Sequence, residues 1–169
     1  ATVTATNGSD SQTTATTVTI TNDAPTADAG GNQAVETAQT VTLDGSGSTD
    51  PDSHLLTYGW TQTGGTSVAL SSKTAVSPTF TALSTPTILT FTLTVTDSYG
   101  LASTPSVAVI TINDAAITGL TAVNDSPTTL GQTTTLTATV TSGSNVVYSW
   151  DLGDGNSDSG ASVGHIYGA

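Results

Sequence analysis

The chain has 169 residues, about one-third of them apolar, with one Lys, no Arg, no Cys and a net charge of −12. Nucleic-acid binding and attraction to an anionic membrane both need cationic side chains and are excluded; so are disulfides, thiolate metal sites and cysteine nucleophiles. No apolar run reaches the roughly 20 residues of a membrane span. The size suits one to two small domains. Ser and Thr make up about a third of the residues, against a single Glu and no Met. Thr is β-branched and stiff at its first torsion, so this composition favours strands.

The chain opens on Ala1, as a fragment or processed product does. In chain order, "ATVTATN" (1–7) alternates with Val3 and Ala5 on one face. "TVTLDGS" (40–46) places Val41 and Leu43 together, and "LTFTLTVTD" (89–97) places Leu89, Phe91, Leu93 and Val95 together. "TTLTATVTS" (134–142) repeats the pattern with Leu136, Ala138 and Val140. A period of two predicts strands with one face buried, and Gly, Asn, Asp, Ser and Pro between them mark turns. No helical period is present, so the fold class is all-β, of sandwich or barrel type.

The chain also repeats itself. "TITNDAP" (19–25) returns as "ITINDAA" (110–116), "LTYGW" (56–60) as "VVYSW" (146–150), and "TVTATN" (2–7) matches "TLTVTD" (92–97). These overlays divide the chain into residues 1–22, the last strands of one unit; 23–113, a complete unit; and 114–169, the first part of another. Residues 1–22 placed after residue 169 make a whole domain. Half a sandwich leaves an apolar face and unpaired strand edges open. The expected partner is therefore a neighbouring copy, joined head-to-tail in a tandem polypeptide or by donor-strand exchange.

"WDLGDG" (150–155) followed by "GHIY" (164–167) resembles the polycystic kidney disease (PKD) domain, an Ig-like sandwich. "NDAPTADAG" (22–30), "VTLDGSGSTDPD" (41–52), "LTYGWTQTGG" (56–65) and "LTFTLTVTDSYGL" (89–101) resemble the divergent PKD-like type. The resemblance implies tandem Ig-like antiparallel β-sandwiches, one complete and one split between the chain termini. It also implies an extracellular or cell-surface spacer, stalk or adhesion module without catalysis of its own.

The resemblance implies that these loops gather at one end of the sandwich, where some relatives bind Ca²⁺, which implicates Asp28, Asp50, Asp52 and Asp97. Ca²⁺ takes six to eight oxygen ligands, and carboxylates supply them; the competing reading is Asp as a turn former. Asp151, Asp154 and Asp158 fit a hairpin with Gly153 and Gly155 better than a metal loop. Trp60 and Trp150 are expected in sandwich cores. His54 in "DSH" cannot form a triad from adjacent residues, and no carboxylate pair is set apart for glycosidase work. Asn7 and Asn124 fit the N-glycosylation pattern, and Lys73 is the one lysine available for an isopeptide staple. The expected function is a repeat unit of a fibre or surface stalk. The alternatives are an accessory module of a secreted hydrolase and an adhesin for a glycan or protein receptor.

Overall fold

The computed structural model describes residues 1–126 and 128–168, and of Asn7 the backbone alone. Among the described residues all regular structure is β. Strands β1 (Thr2–Asn7) and β2 (Asp10–Ala15) form an antiparallel hairpin with Val3 opposite Thr14, turning through Gly8 at φ 61°. Val3 and Ala5 share a face as their alternation predicts, yet that face is open: every described side chain from residue 1 to residue 21 is exposed. Two strands have no second layer, and so no core of their own.

Six strands form the central unit: β3 (Gln33–Glu36), β4 (Thr40–Thr42), β5 (Thr57–Gly64), β6 (Thr79–Thr81), β7 (Thr87–Thr96) and β8 (Ser106–Asn113). One sheet has the order β3-β8-β7-β5 and the other pairs β4 with β6. The sheets meet through one apolar core, in which Phe80 of β6 lies 5.2 Å from Phe91 of β7. Trp60, 2% exposed, is sealed in this core. Its indole N–H donates to the Ala75 carbonyl at 3.0 Å, which satisfies its polar end. Strand β7 buries every second residue, in the pattern its sequence predicts. The edge pair β3–β8 runs parallel, which alternation cannot encode because side-chain period is blind to strand direction.

The third unit holds β9 (Thr121–Asn124), β10 (Thr133–Thr139), β11 (Ser149–Asp151), β12 (Ser157–Ser159) and β13 (Ser162–Ile166). One sheet has the order β13-β10-β9, and β11 pairs with β12. The β10–β13 ladder is antiparallel like β4–β6, and Trp150 on β11 stands where Trp60 stands on β5. Counterparts of β7 and β8 do not follow within the described residues. In the central unit those two strands supply seven of the thirteen buried core side chains: Leu89, Phe91, Leu93, Val95, Ala108, Ile110 and Ile112. Without such strands most of the apolar face in the third unit stays uncovered, and Trp150 is half-buried rather than sealed.

Candidate functional site

Two features stand out: an open apolar face on the third unit and a polar cluster where the chain enters the central unit. The open face is a groove of about 280 Å³ whose lining includes Ile117, Leu120, Val140, Val147, Tyr148 and Trp150. Val147 is 86% exposed and Leu120 65%. In the central unit β7 and β8 cover the core. Apolar side chains gathered in one concave patch mark an interaction surface.

The cluster joins loops that are distant in sequence. Asp50 and Asp97 meet there with His54, each offering one potential ligand atom, all within 4.8 Å of one another. The Asp50 side chain is 1% exposed. Its Oδ1 accepts the backbone N–H groups of Asp52 and His54, while its Oδ2 has no partner. Burial pushes the Asp97 carboxyl up, but hydrogen bonds from Asn22, Leu101, Tyr99 and Gly100 outweigh it and hold the group below its ordinary value. Asn22 donates from Nδ2 to Asp97 Oδ2 at 2.6 Å, and its own Oδ1 is buried without a partner.

Of the four predicted ligands, then, Asp50 and Asp97 come together. Asp52 stands beside them and accepts the Asp23 N–H at 2.7 Å. Asp28 is elsewhere, taking the Gly30 N–H at 2.9 Å in a turn of its own. Asn22 and His54 were missed. No spacing signal links Asn22 to Asp97, 75 residues away, and its amide became visible only through the fold. The side chain of Asn7 lies outside what is described, so the glycosylation assignment there is not placed.

A second polar pair lies in the third unit. His165 Nε2 is 2.7 Å from Asp154 Oδ2. The His165 hydrogen bond, followed by those from the Asn156 backbone and side chain, lowers Asp154 from 3.8 to about 2. A depressed carboxylate contributes stability above its unfolded value and loses it as pH falls. The Asp154 contribution is therefore complete above pH 3.8 and disappears as pH falls through about 2. The variant His165→Phe should raise the Asp154 value toward 3.8 in a carboxyl NMR titration. An unmoved titration would refute His165 as the dominant cause. Gly153 and Gly155, at φ 81° and 87°, shape the adjoining hairpin, whose Asp151 and Asp154 carboxylates accept the N–H groups of Gly153 and Asn156.

Two family models match the chain: K319L-like, PKD domain, over residues 29–111, and PKD domain, over residues 119–169. Among solved structures, the PKD domain from KIAA 1837 protein is 28% identical, over 56% of this chain and 92% of that one, with a TM-score of 0.46. A nucleoside hydrolase-related hypothetical protein from Saccharophagus degradans, associated with carbohydrate metabolism, is 24% identical over 54% of this chain, with a TM-score of 0.46. The match covers 26% of that protein's length. Human protocadherin-24 EC1-2 is 16% identical over 77% of this chain and 66% of that one, with a TM-score of 0.40. No curated protein matches the chain.

Proposed function

Because the chain belongs to the PKD-type Ig-like domains, carried here in tandem, we propose that it is a structural repeat unit of an extracellular fibre or cell-surface stalk. PKD domains are non-catalytic modules, generally extracellular, with structural or adhesive roles. In this reading residues 1–22 of one copy complete the open sandwich 114–169 of the next, through a tandem polypeptide or by strand exchange.

One observation supports the reading: the strand register and the repeat can both be laid so that residues 1–22 follow β7 and β8 of the central unit. Overlaying "TVTATN" on "TLTVTD" sets Val3 on Leu93. The β1–β2 register then puts Thr14 opposite Val3, as β7–β8 puts Ser106 opposite Leu93. Counting four and six residues forward from each partner brings Val18 onto Ile110 and Ile20 onto Ile112, two of the buried positions of β8. The "TITNDAP" repeat agrees when Thr21 is taken as an inserted residue, which then brings Thr19 and Ile20 onto Thr111 and Ile112. Val18 and Ile20 are 67% and 91% exposed in the single chain. They are apolar groups without a core, and the third unit is a core without such groups.

Sedimentation velocity over a concentration series, with electron microscopy of the products, tests the assembly. The intact chain should form a ladder of head-to-tail multimers, and deletion of residues 1–20 should leave monomers. For the tandem route, two copies joined in one polypeptide should show a melting transition that the single chain lacks. A chain that stays monomeric at all concentrations, with no new transition in the joined form, refutes both routes.

A further inference from the structure

Two strand edges of the chain are open. Among the described residues β1 pairs only with β2, and β11 only with β12. An open edge presents backbone N–H and C=O groups that another strand can take up. Which groups these are follows from the hairpin bonds, because successive residues of a strand aim their N–H and C=O to opposite sides.

In β1 the odd-numbered residues face β2. The Ala1 amino group donates to the Thr16 carbonyl at 2.8 Å, and the Thr16 N–H returns to the Ala1 carbonyl at 2.9 Å. The register carries this pairing on to Val3 with Thr14 and Ala5 with Gln12. Thr2, Thr4 and Thr6 therefore turn their backbone groups to the open side. In β11 the even-numbered residues face β12. The Leu152 N–H donates to the Asn156 carbonyl and the Gly160 N–H to the Tyr148 carbonyl, each at 3.1 Å. Ser149 and Asp151, with Val147 just before the strand, are left for the open side.

The central unit shows how two such edges fit. By the repeats in the sequence β5 is the counterpart of β11, and β7 that of β1. On the far side of β5 the Trp60 N–H donates to the Lys73 carbonyl at 2.8 Å, so Gly59 and Thr61 address β7. They stand opposite Thr94 and Thr92, with Thr57 opposite Thr96. Carried over the repeats, these pairs become Ser149 with Thr4, Asp151 with Thr2 and Val147 with Thr6. They are the same six residues whose backbone groups the hairpin bonds leave on the open sides. The overlays rest on side chains and the hairpin bonds on the backbone, so the agreement is between independent observations. A slip of one residue would aim hairpin-facing groups at the joint and turn Val3 to the outer face.

We propose that β1 of one copy adds antiparallel to the open edge of β11 in the next, with Thr4 opposite Ser149, and so joins two hairpins into one sheet of order β2-β1-β11-β12 across the boundary between copies. This rests on the completion of 114–169 by residues 1–22 and gives that completion its hydrogen bonds. Three pairs exchange about six N–H···O bonds. Val3 comes to lie opposite Trp150, as Leu93 lies opposite Trp60, and Thr4 and Ser149 stay on the outer face. The joint is a strand added to an edge, with main-chain bonds supplying affinity and the apolar groove supplying selectivity. Its two sides are different surfaces of the chain, so each added copy presents a fresh edge.

The test is disulfide trapping in a chain that has no Cys of its own. Thr4 and Ser149 are both exposed in the single chain, so Thr4→Cys and Ser149→Cys put folding at little risk. Directly opposed residues fall within the Cα span of a disulfide, about 4.4–6.8 Å, and diagonal ones at about 7–8 Å do not. Mixed in equal amounts and oxidised, the two variants should give a covalent heterodimer on a non-reducing gel. Thr6→Cys mixed with Ser149→Cys should give at least about tenfold less, and each variant alone should give none. Thr4→Pro removes an N–H that the hairpin does not use, and it should weaken association about tenfold or more in sedimentation. Multimers that form without the Thr4–Ser149 link, or that are indifferent to Thr4→Pro, overturn this pairing and leave strand completion standing. Dimers of Thr4→Cys with itself mean that two β1 edges close on each other, and they overturn it as well. With neither multimers nor link, it falls together with the reading beneath it.

Discussion

Replacing Val18 or Ile20 with Asp should lower self-association of the chain at least about 100-fold, and the double variant should abolish it. Both side chains are wet in the single chain, so their exchange costs the monomer little. In the proposed assembly they occupy the positions of Ile110 and Ile112 and face Trp150 and its neighbours. A carboxylate there would be buried without a partner, a penalty of several kcal/mol that exceeds the roughly 2.7 kcal/mol of a hundredfold change. Thr19→Asp is the matched control, because alternation turns residue 19 toward solvent. Sedimentation equilibrium should show the two effects separated by position, while the melting of the central unit stays fixed. Equal association of Ile20→Asp and the parent chain would remove the proposed register.

Trp60→Ala should destabilise the central unit by about 3–5 kcal/mol, the range for truncating a buried aromatic. It empties the space beneath β5 and orphans the Ala75 carbonyl. For a domain of this size the melting temperature falls by roughly 15 °C or more. Trp150→Ala offers the contrast. Trp150 also donates its indole N–H, to Gly160 at 2.8 Å, but its ring borders the open groove. In the monomer its truncation should cost about 1 kcal/mol, and in the assembled form about as much as at Trp60. Differential scanning calorimetry of both variants, as monomer and as assembly, checks this. Equal costs in both states would mean that the groove is never covered.

The strands were legible because they obey one local rule. In β7, Leu89, Phe91, Leu93 and Val95 alternate with Thr, and the structure buries those four completely. The same rule found β1, but it could not say whether Val3 and Ala5 had anything to pack against. Burial is a property of the partner layer, and that layer is not local in sequence. Trp150 shows the same limit: its match to Trp60 predicts a core position, and it is half-buried.

The polar cluster was half legible. Acid-rich loops made Asp50 and Asp97 candidates, and the fold places them together. Asp28 met the same chemical criterion and instead braces its own turn. Asn22 sits in a linker motif where nothing marks its amide as a partner of Asp97. Its role emerges from β7 ending beside the entry of the chain into the central unit. Composition identifies groups able to bind a cation, and only topology brings them together.

The parallel pairing of β3 with β8 has a mechanical consequence. These are the first and last strands of the central unit, matched from Gln33 with Ile110 to Glu36 with Asn113. Tension applied at the two ends draws β3 backward and β8 forward along a shared axis. Every rung between them is loaded in shear at the same moment, where a hairpin pulled from its open end would unzip rung by rung. A stalk made of such modules would carry strain through its edge ladders before any core side chain had to move.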